Sequence, residues 1–188
     1  MKDDLFIRGK NPMTKMEVRG TIVSYLAPES AMHILEVGAG TGSVTVEIAK
    51  MALNAKVTAI EKTFTGCELI LQNARKHGVQ IEVINDDAPT DLLMKENIFD
   101  RVYIGGTGRA FKEIMLWLEE GKMTIGCIVV FSVITLESLN EIMSYITNHE
   151  RYTELEASQI NASRLEMLGS YHYFKPMNPC TVIKCIFK

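Results

Sequence analysis

Residues 36–43 read Glu-Val-Gly-Ala-Gly-Thr-Gly-Ser. Gly38, Gly40 and Gly42, with Ala39 and Thr41 between them, follow an apolar stretch and precede a helix-forming one. Glycine in such a loop permits left-handed dihedrals and lets a ligand come close to the main chain. A dinucleotide fingerprint puts its glycines first, third and sixth, whereas the sixth place here is Ser43. Glu36, ahead of the glycines, suits a ligand with an ammonium group better than a pyrophosphate. S-adenosylmethionine has that ammonium, a carboxylate suited to a helix N-terminus, and no phosphate.

Two further sites follow the next two apolar runs. Glu61 ends the second run, about twenty residues after the glycine loop, where a carboxylate can accept hydrogen bonds from both hydroxyls of a ribose. Asn85-Asp86-Asp87-Ala88-Pro89 ends the third, where Asp87 can meet an adenine amino group and Ala88 can pack on the ring. Each has a plainer reading, as a solvated strand-end acid or an ordinary polar turn. Together with the glycine loop they describe one nucleoside site.

The elements that must hold these groups alternate. Thr14 and Glu17 have the spacing of a helix capping box, and Val18, Ile22, Tyr25 and Leu26 continue at helical spacing to Pro28. Strands are predicted over Met32–Val37, Lys56–Glu61, Val79–Ile84, Arg101–Ile104 and Cys127–Ile134. Helices are predicted from the glycine loop to Ala52 and over Phe64–His77, Ala110–Glu120 and Leu136–Asn148, with Gly78 closing the second. Such alternation specifies an α/β fold with a mostly parallel sheet and helices on both faces. Tyr152–Ala162 and Thr181–Phe187 break the rhythm, because both read as strands with no helix between them. They are expected to pair, with one antiparallel to the sheet. Open α/β sheets bind ligands at the carboxyl ends of their strands, which is where the three loops fall.

The 188 residues suit one domain, 1–188, with 1–28 as an N-terminal extension and helix. A net charge of −3 is not that of a protein built to neutralise a long run of phosphates, so no nucleic-acid partner is expected. The four cysteines form no CxxC and no Cys/His set has zinc spacing, so no metal site is expected and a reducing setting fits. No apolar run is long enough to cross a bilayer, and the charged Met1–Asp4 start does not resemble a signal peptide. A cytoplasmic protein without a membrane partner is the expectation.

The three loops resemble those of the class I S-adenosylmethionine-dependent methyltransferases, whose Rossmann-like fold has a seven-stranded, mostly parallel sheet ending in an antiparallel strand. Four other stretches resemble one subfamily, the decarboxylating cobalt-precorrin-6B carbon-15 methyltransferases of cobalamin (vitamin B12) synthesis. They are Phe6–Gly9 leading to Pro12–Arg19, Phe99–Gly108, Thr135–Glu137 and Tyr171–Pro179. This chain departs from the subfamily at Ser132, where an Asn is common, and at Asp86, where a Gly is common.

That resemblance implies methylation of a corrin precursor at carbon 15 with loss of the ring C acetate carboxyl, in the anaerobic route. It implies S-adenosylmethionine bound by Thr14, the Gly38–Gly42 loop, Glu61, Asp87 and Ala88. A corrin-type tetrapyrrole carries several carboxylates, so local cations must hold it; Arg8, Lys15, Arg19, Arg109, Arg164 and Lys175 are the candidates, with Arg109 and Lys175 favoured by their neighbouring loops. His172 is the first choice as proton carrier, followed by Tyr173 and Glu137, and Arg109 is placed beside them as a catalytic candidate. The resemblance also implies a homo-oligomer, with a tetramer favoured, and a separate enzyme for the carbon-5 methylation. Three other readings remain open at this point: a class I methyltransferase for another small molecule or RNA, a cofactor-binding module without activity, and an NAD-dependent oxidoreductase.

Overall fold

The computed structural model describes residues 1–93 and 96–188. An N-terminal strap, residues 1–15, leads into helix α1 (Met16–Leu26). Alternation then runs through β1 (His33–Val37), α2 (Ser43–Met51), β2 (Lys56–Ile60), α3 (Phe64–His77), β3 (Glu82–Ile84), β4 (Phe99–Ile104), α4 (Phe111–Glu119), β5 (Met123–Val133) and α5 (Leu136–Thr147). Four strands close the chain: β6 (Tyr152–Ile160), β7 (Ser163–Leu168), β8 (Tyr171–Pro176) and β9 (Cys180–Phe187).

Seven strands form one sheet in the order β3-β2-β1-β4-β5-β9-β6. From β3 to β5 all neighbours are parallel. β9 lies between β5 and β6 and is antiparallel to both, so the expected terminal pair forms with β9 as the reversed strand. The central strands read as near-continuous apolar runs because helices cover both faces. Leu35, Val102 and Phe131 face a core closed by α4 and α5 through Ile114, Met115, Ile142 and Ile146. Ile34, Tyr103 and Val130 face the other, closed by α1 and α2 through Ile22, Leu26 and Ile48. Among the described residues no helix is long and apolar enough to cross a membrane.

Helix ends follow local chemistry in most places. Thr63 accepts a hydrogen bond from the Gly66 N–H at the start of α3, and Gly78 ends that helix in a left-handed conformation. The capping box expected at Thr14 and Glu17 is not formed. The residue before α1 is Lys15, and the free Met16 N–H is met by Asp3 Oδ1 at 3.0 Å, from thirteen residues upstream. A cap supplied by a distant segment leaves no mark in local spacing.

The second departure is β7 and β8, which form a separate two-stranded antiparallel ribbon between β6 and β9. The Tyr171–Pro176 stretch, expected as a loop at the sheet edge, is one of its strands. Cross-strand pairing puts Leu165, Met167, His172 and Phe174 on one side of the ribbon, and Arg164, Glu166, Tyr173 and Lys175 on the other. Arg164 pins the second side to the body by bonding Glu17 and Asp3.

Candidate active site

A cavity of about 850 Å³ opens at the carboxyl ends of the parallel strands. That lies within the usual range of small-molecule sites, about 300–1,000 Å³. Its floor is the loop after β1. Gly38 has φ +75°, and a Cβ there would stand 2.5 Å from the Gly106 carbonyl oxygen, so the β1 and β4 loops approach as only glycine allows. Gly40, also left-handed, turns its N–H to Glu61 Oε2 at 2.9 Å. Glu61 is thereby built into the loop it adjoins. Its Oε1 accepts from the Thr63 N–H and hydroxyl, and Oε2 keeps one acceptor site for a hydroxyl of a ligand.

Glu36 lies deeper and is buried. Oε2 accepts from the Thr45 hydroxyl at 2.5 Å, and no donor meets Oε1 among the described residues. Burial without a cation, with Glu61 nearby, pushes its carboxyl up to about 8. Beside it Tyr103 gives its ring to the core, its hydroxyl and that of Ser132 share a hydrogen bond of 2.7 Å, and burial keeps the phenol protonated. A buried carboxyl with an uncommitted oxygen is the partner a ligand ammonium requires.

The strap covers this floor. Lys10 to Lys15 line the cavity opposite the glycine loop. Asn73 on α3 holds the strap in place: its Oδ1 accepts from the Ile7 N–H, and its Nδ2 donates to both the Ile7 and the Thr41 carbonyls. One fully buried amide therefore joins the strap to the glycine loop. Arg19 anchors the strap's other end through Asp3, Glu47 and the Thr14 and Met1 carbonyls, with Phe6 packed over its guanidinium at 4.8 Å.

The precorrin methyltransferase domain model matches residues 4–186. The cobalt-precorrin-6B C(15)-methyltransferase (decarboxylating) of Salmonella typhimurium is 36% identical over 187 residues, 98% of this chain and 95% of that protein. The chain belongs to the precorrin methyltransferase family. Two solved structures agree in shape. Precorrin-6y C5,15-methyltransferase from Geobacter metallireducens superposes with a TM-score of 0.88 at 26% identity, covering 99% of this chain and 97% of that one. The precorrin 8w decarboxylase of Methanobacterium thermoautotrophicum gives 0.87 at 27% identity and 98% of both chains. The class I methyltransferase fold is therefore that of this chain.

Within this precorrin methyltransferase the residues expected from sequence divide into two groups. Thr14, Lys15, Gly38, Ala39, Gly40, Thr41, Glu61, Asp87 and Ala88 all line the one cavity. Gly42 does not; with φ +73° it caps α2 and abuts Ile70. Arg8 and Arg109 are exposed and off the cavity wall, as is Glu137. His172, Tyr173 and Lys175 stand on the ribbon outside it, with Lys175 paired to Glu166 at 3.1 Å. His172 lies on the side opposite the one that Arg164 pins and is not among the residues lining the cavity. Arg19 and Arg164 are no longer free cations: the first is fully buried among acids, the second is committed to Asp3 and Glu17. An arginine in an internal ion network and one held out to a ligand are indistinguishable by residue type.

The cavity also contains groups the sequence reading passed over: Lys10, Lys62, Tyr103, Met177 and Asn178. Tyr103 carried a signal. It pairs with Glu36 in parallel register one strand away, so two polar side chains fall on the same face just before their loops.

Proposed function

We propose that the chain transfers a methyl group to carbon 15 of cobalt-precorrin-6B and removes the ring C acetate carboxyl of the same molecule, as a step of cobalamin synthesis by the anaerobic route. The observation that carries this reading is the convergence of the glycine loop, Glu61 and the Asp87-Ala88 pair on one cavity in a chain of this family. S-adenosylmethionine supplies the methyl group from its sulfonium. Thr14 and residues Gly38 to Thr41 of the glycine loop hold its amino-acid end, with Glu36 taking the ammonium. Glu61 receives the ribose, and Asp87 and Ala88 hold the adenine. The chain's remaining work is orientation and exclusion of water, which the strap and the apolar wall of Ile114 and Ile134 provide. Arg8, Arg109, His172, Tyr173 and Lys175 stand outside the cavity and carry no step in this reading.

The deciding experiment incubates the purified chain with S-adenosylmethionine and cobalt-precorrin-6B and follows the product by mass spectrometry. Gain of one methyl carbon with loss of one carbon dioxide is expected; an unchanged corrin overturns the reading. For the cofactor, Glu61→Gln is expected to weaken S-adenosylhomocysteine binding by roughly 1.5–3 kcal/mol, the worth of a hydrogen bond to a charged group. Unchanged affinity by calorimetry removes Glu61 from the site.

A homo-oligomer, a tetramer in the fullest form, belongs to the same proposal, as does a separate enzyme for carbon 5. Support for self-association comes from the β7–β8 ribbon. Leu165, Met167 and Phe174 share its outer side and are more than half exposed. A lone two-stranded ribbon is marginally stable in water, and a second copy would cover that side.

A further inference from the structure

Three of the cations singled out from sequence are already committed. Arg19 and Arg164 are held by carboxylates, and Lys175 is held by Glu166. Three lysines differ. Lys10 and Lys15 on the strap, and Lys62 just past β2, line the cavity and make no ion pair among the described residues. The absence is informative because acids line the same cavity. Glu36 is turned to Thr45, Glu61 to Gly40 and Thr63, and Asp86 to Thr90 and the Asp87 N–H. None of these carboxylates, nor that of Asp87, pairs with Lys10, Lys15 or Lys62 among the described residues.

Their placement is also specific. Lys62 extends from the end of β2 toward the loop after β4, its Nζ 4.0 Å from where a Cβ on Gly108 would stand. Lys10 and Lys15 come from the opposite side, flanking Pro12, whose carbonyl oxygen lies 3.4 Å from a Cβ built on Gly40. The three thus approach the cavity from two separate elements. Lysine is a point charge on a flexible stem, suited to carboxylates that differ in position around a large ring.

We propose that Lys10, Lys15 and Lys62 form the substrate-anchoring rim of this cavity, each receiving a peripheral carboxylate of the tetrapyrrole. The inference rests on the corrin-precursor reading above and replaces the six cations expected from sequence, of which Lys15 alone remains. It also resolves how a chain of net charge −3 takes a polyanion: the favourable field is local, made by charges that no internal acid neutralises.

The test compares wild type with Lys10→Met, Lys15→Met, Lys62→Met and the triple variant, together with Arg109→Met as a control off the cavity wall. Three quantities are read: KM and kcat with cobalt-precorrin-6B, S-adenosylhomocysteine affinity by calorimetry, and binding of an octacarboxylate porphyrin by fluorescence. Each single variant is expected to raise KM about 2–5-fold, the range for one solvent-exposed ion pair. The triple should raise it roughly 10–100-fold if the three act independently, and should show a shallower salt dependence. S-adenosylhomocysteine affinity should stay within twofold throughout, and Arg109→Met should match wild type. A triple variant with wild-type KM and porphyrin affinity overturns the proposal, as does an equal loss of S-adenosylhomocysteine binding, which would assign the lysines to the cofactor. Failure of the functional reading looks different. Wild type would then leave cobalt-precorrin-6B unchanged while porphyrin binding still depended on the lysines. A wild type that binds neither tetrapyrrole overturns the rim.

Discussion

At the scale of single residues the cavity depends on two carboxyls in unlike settings. Glu61 accepts from the Gly40 N–H and from the Thr63 N–H and hydroxyl, whereas the buried Glu36 has one donor, the Thr45 hydroxyl. With burial raising Glu36 to about 8 from 4.5, the folded protein keeps a proton there that the unfolded chain releases. More protons bound in the native state means stability falls as pH rises through that window, and levels off above it. The melting temperature of wild type is therefore expected to drop relative to Glu36→Gln between about pH 5 and pH 8. A constant difference across that range would show Glu36 charged in the fold. Glu36 and Asp87 were legible in the sequence beside the Gly38 and Pro89 turns, and Glu61 by its place at the end of the second strand, about twenty residues past the glycine loop. Arg19 was misread, since its partners Asp3 and Glu47 are 16 and 28 residues away.

At the scale of elements, the glycine loop and the strap are made into one unit by Asn73. Removing its amide by Asn73→Ala leaves the Ile7 N–H and the Ile7 and Thr41 carbonyls without that partner in a buried setting. The expected cost is about 1–3 kcal/mol of global stability by urea denaturation. S-adenosylhomocysteine affinity should weaken as well, because the strap would no longer be held against Thr41. Loss of stability with undiminished affinity would show that the strap contributes nothing to cofactor binding. The alternating elements themselves were legible from periodicity, and the Phe64–His77 helix was placed to the residue, with Gly78 closing it. The α1 start was not, because its cap is Asp3, brought there by the fold.

At the scale of the whole molecule the β7–β8 ribbon is the feature that a closed sheet does not account for. Its outer side offers Leu165, Met167 and Phe174, and its inner side is tied through Arg164 to Asp3 and Glu17, next to the strap. Light scattering on the wild-type chain is expected to report an oligomer. Leu165→Ser with Phe174→Ser should shift it toward monomer while leaving S-adenosylhomocysteine binding intact, since neither residue lines the cavity. A monomeric wild type would refute self-association. The ribbon's place could not be read beforehand because what fixes it lies far along the chain: Arg164 is held by Asp3 and Glu17, while Lys175 pairs with Glu166 across the two strands.

Local patterns determined what local physics controls in this chain. Backbone freedom at Gly38 and Gly40, the apolar runs of the parallel strands and the turn chemistry after them were enough to specify the sheet and the loops that line its cavity. Tertiary structure alone decided which charges are spent and which are free. An arginine or lysine has the same residue type whether an acid far along the chain neutralises it or not, and only folding brings that acid near. Arg19 and Arg164 found such partners; Lys10, Lys15 and Lys62 have none among the described residues.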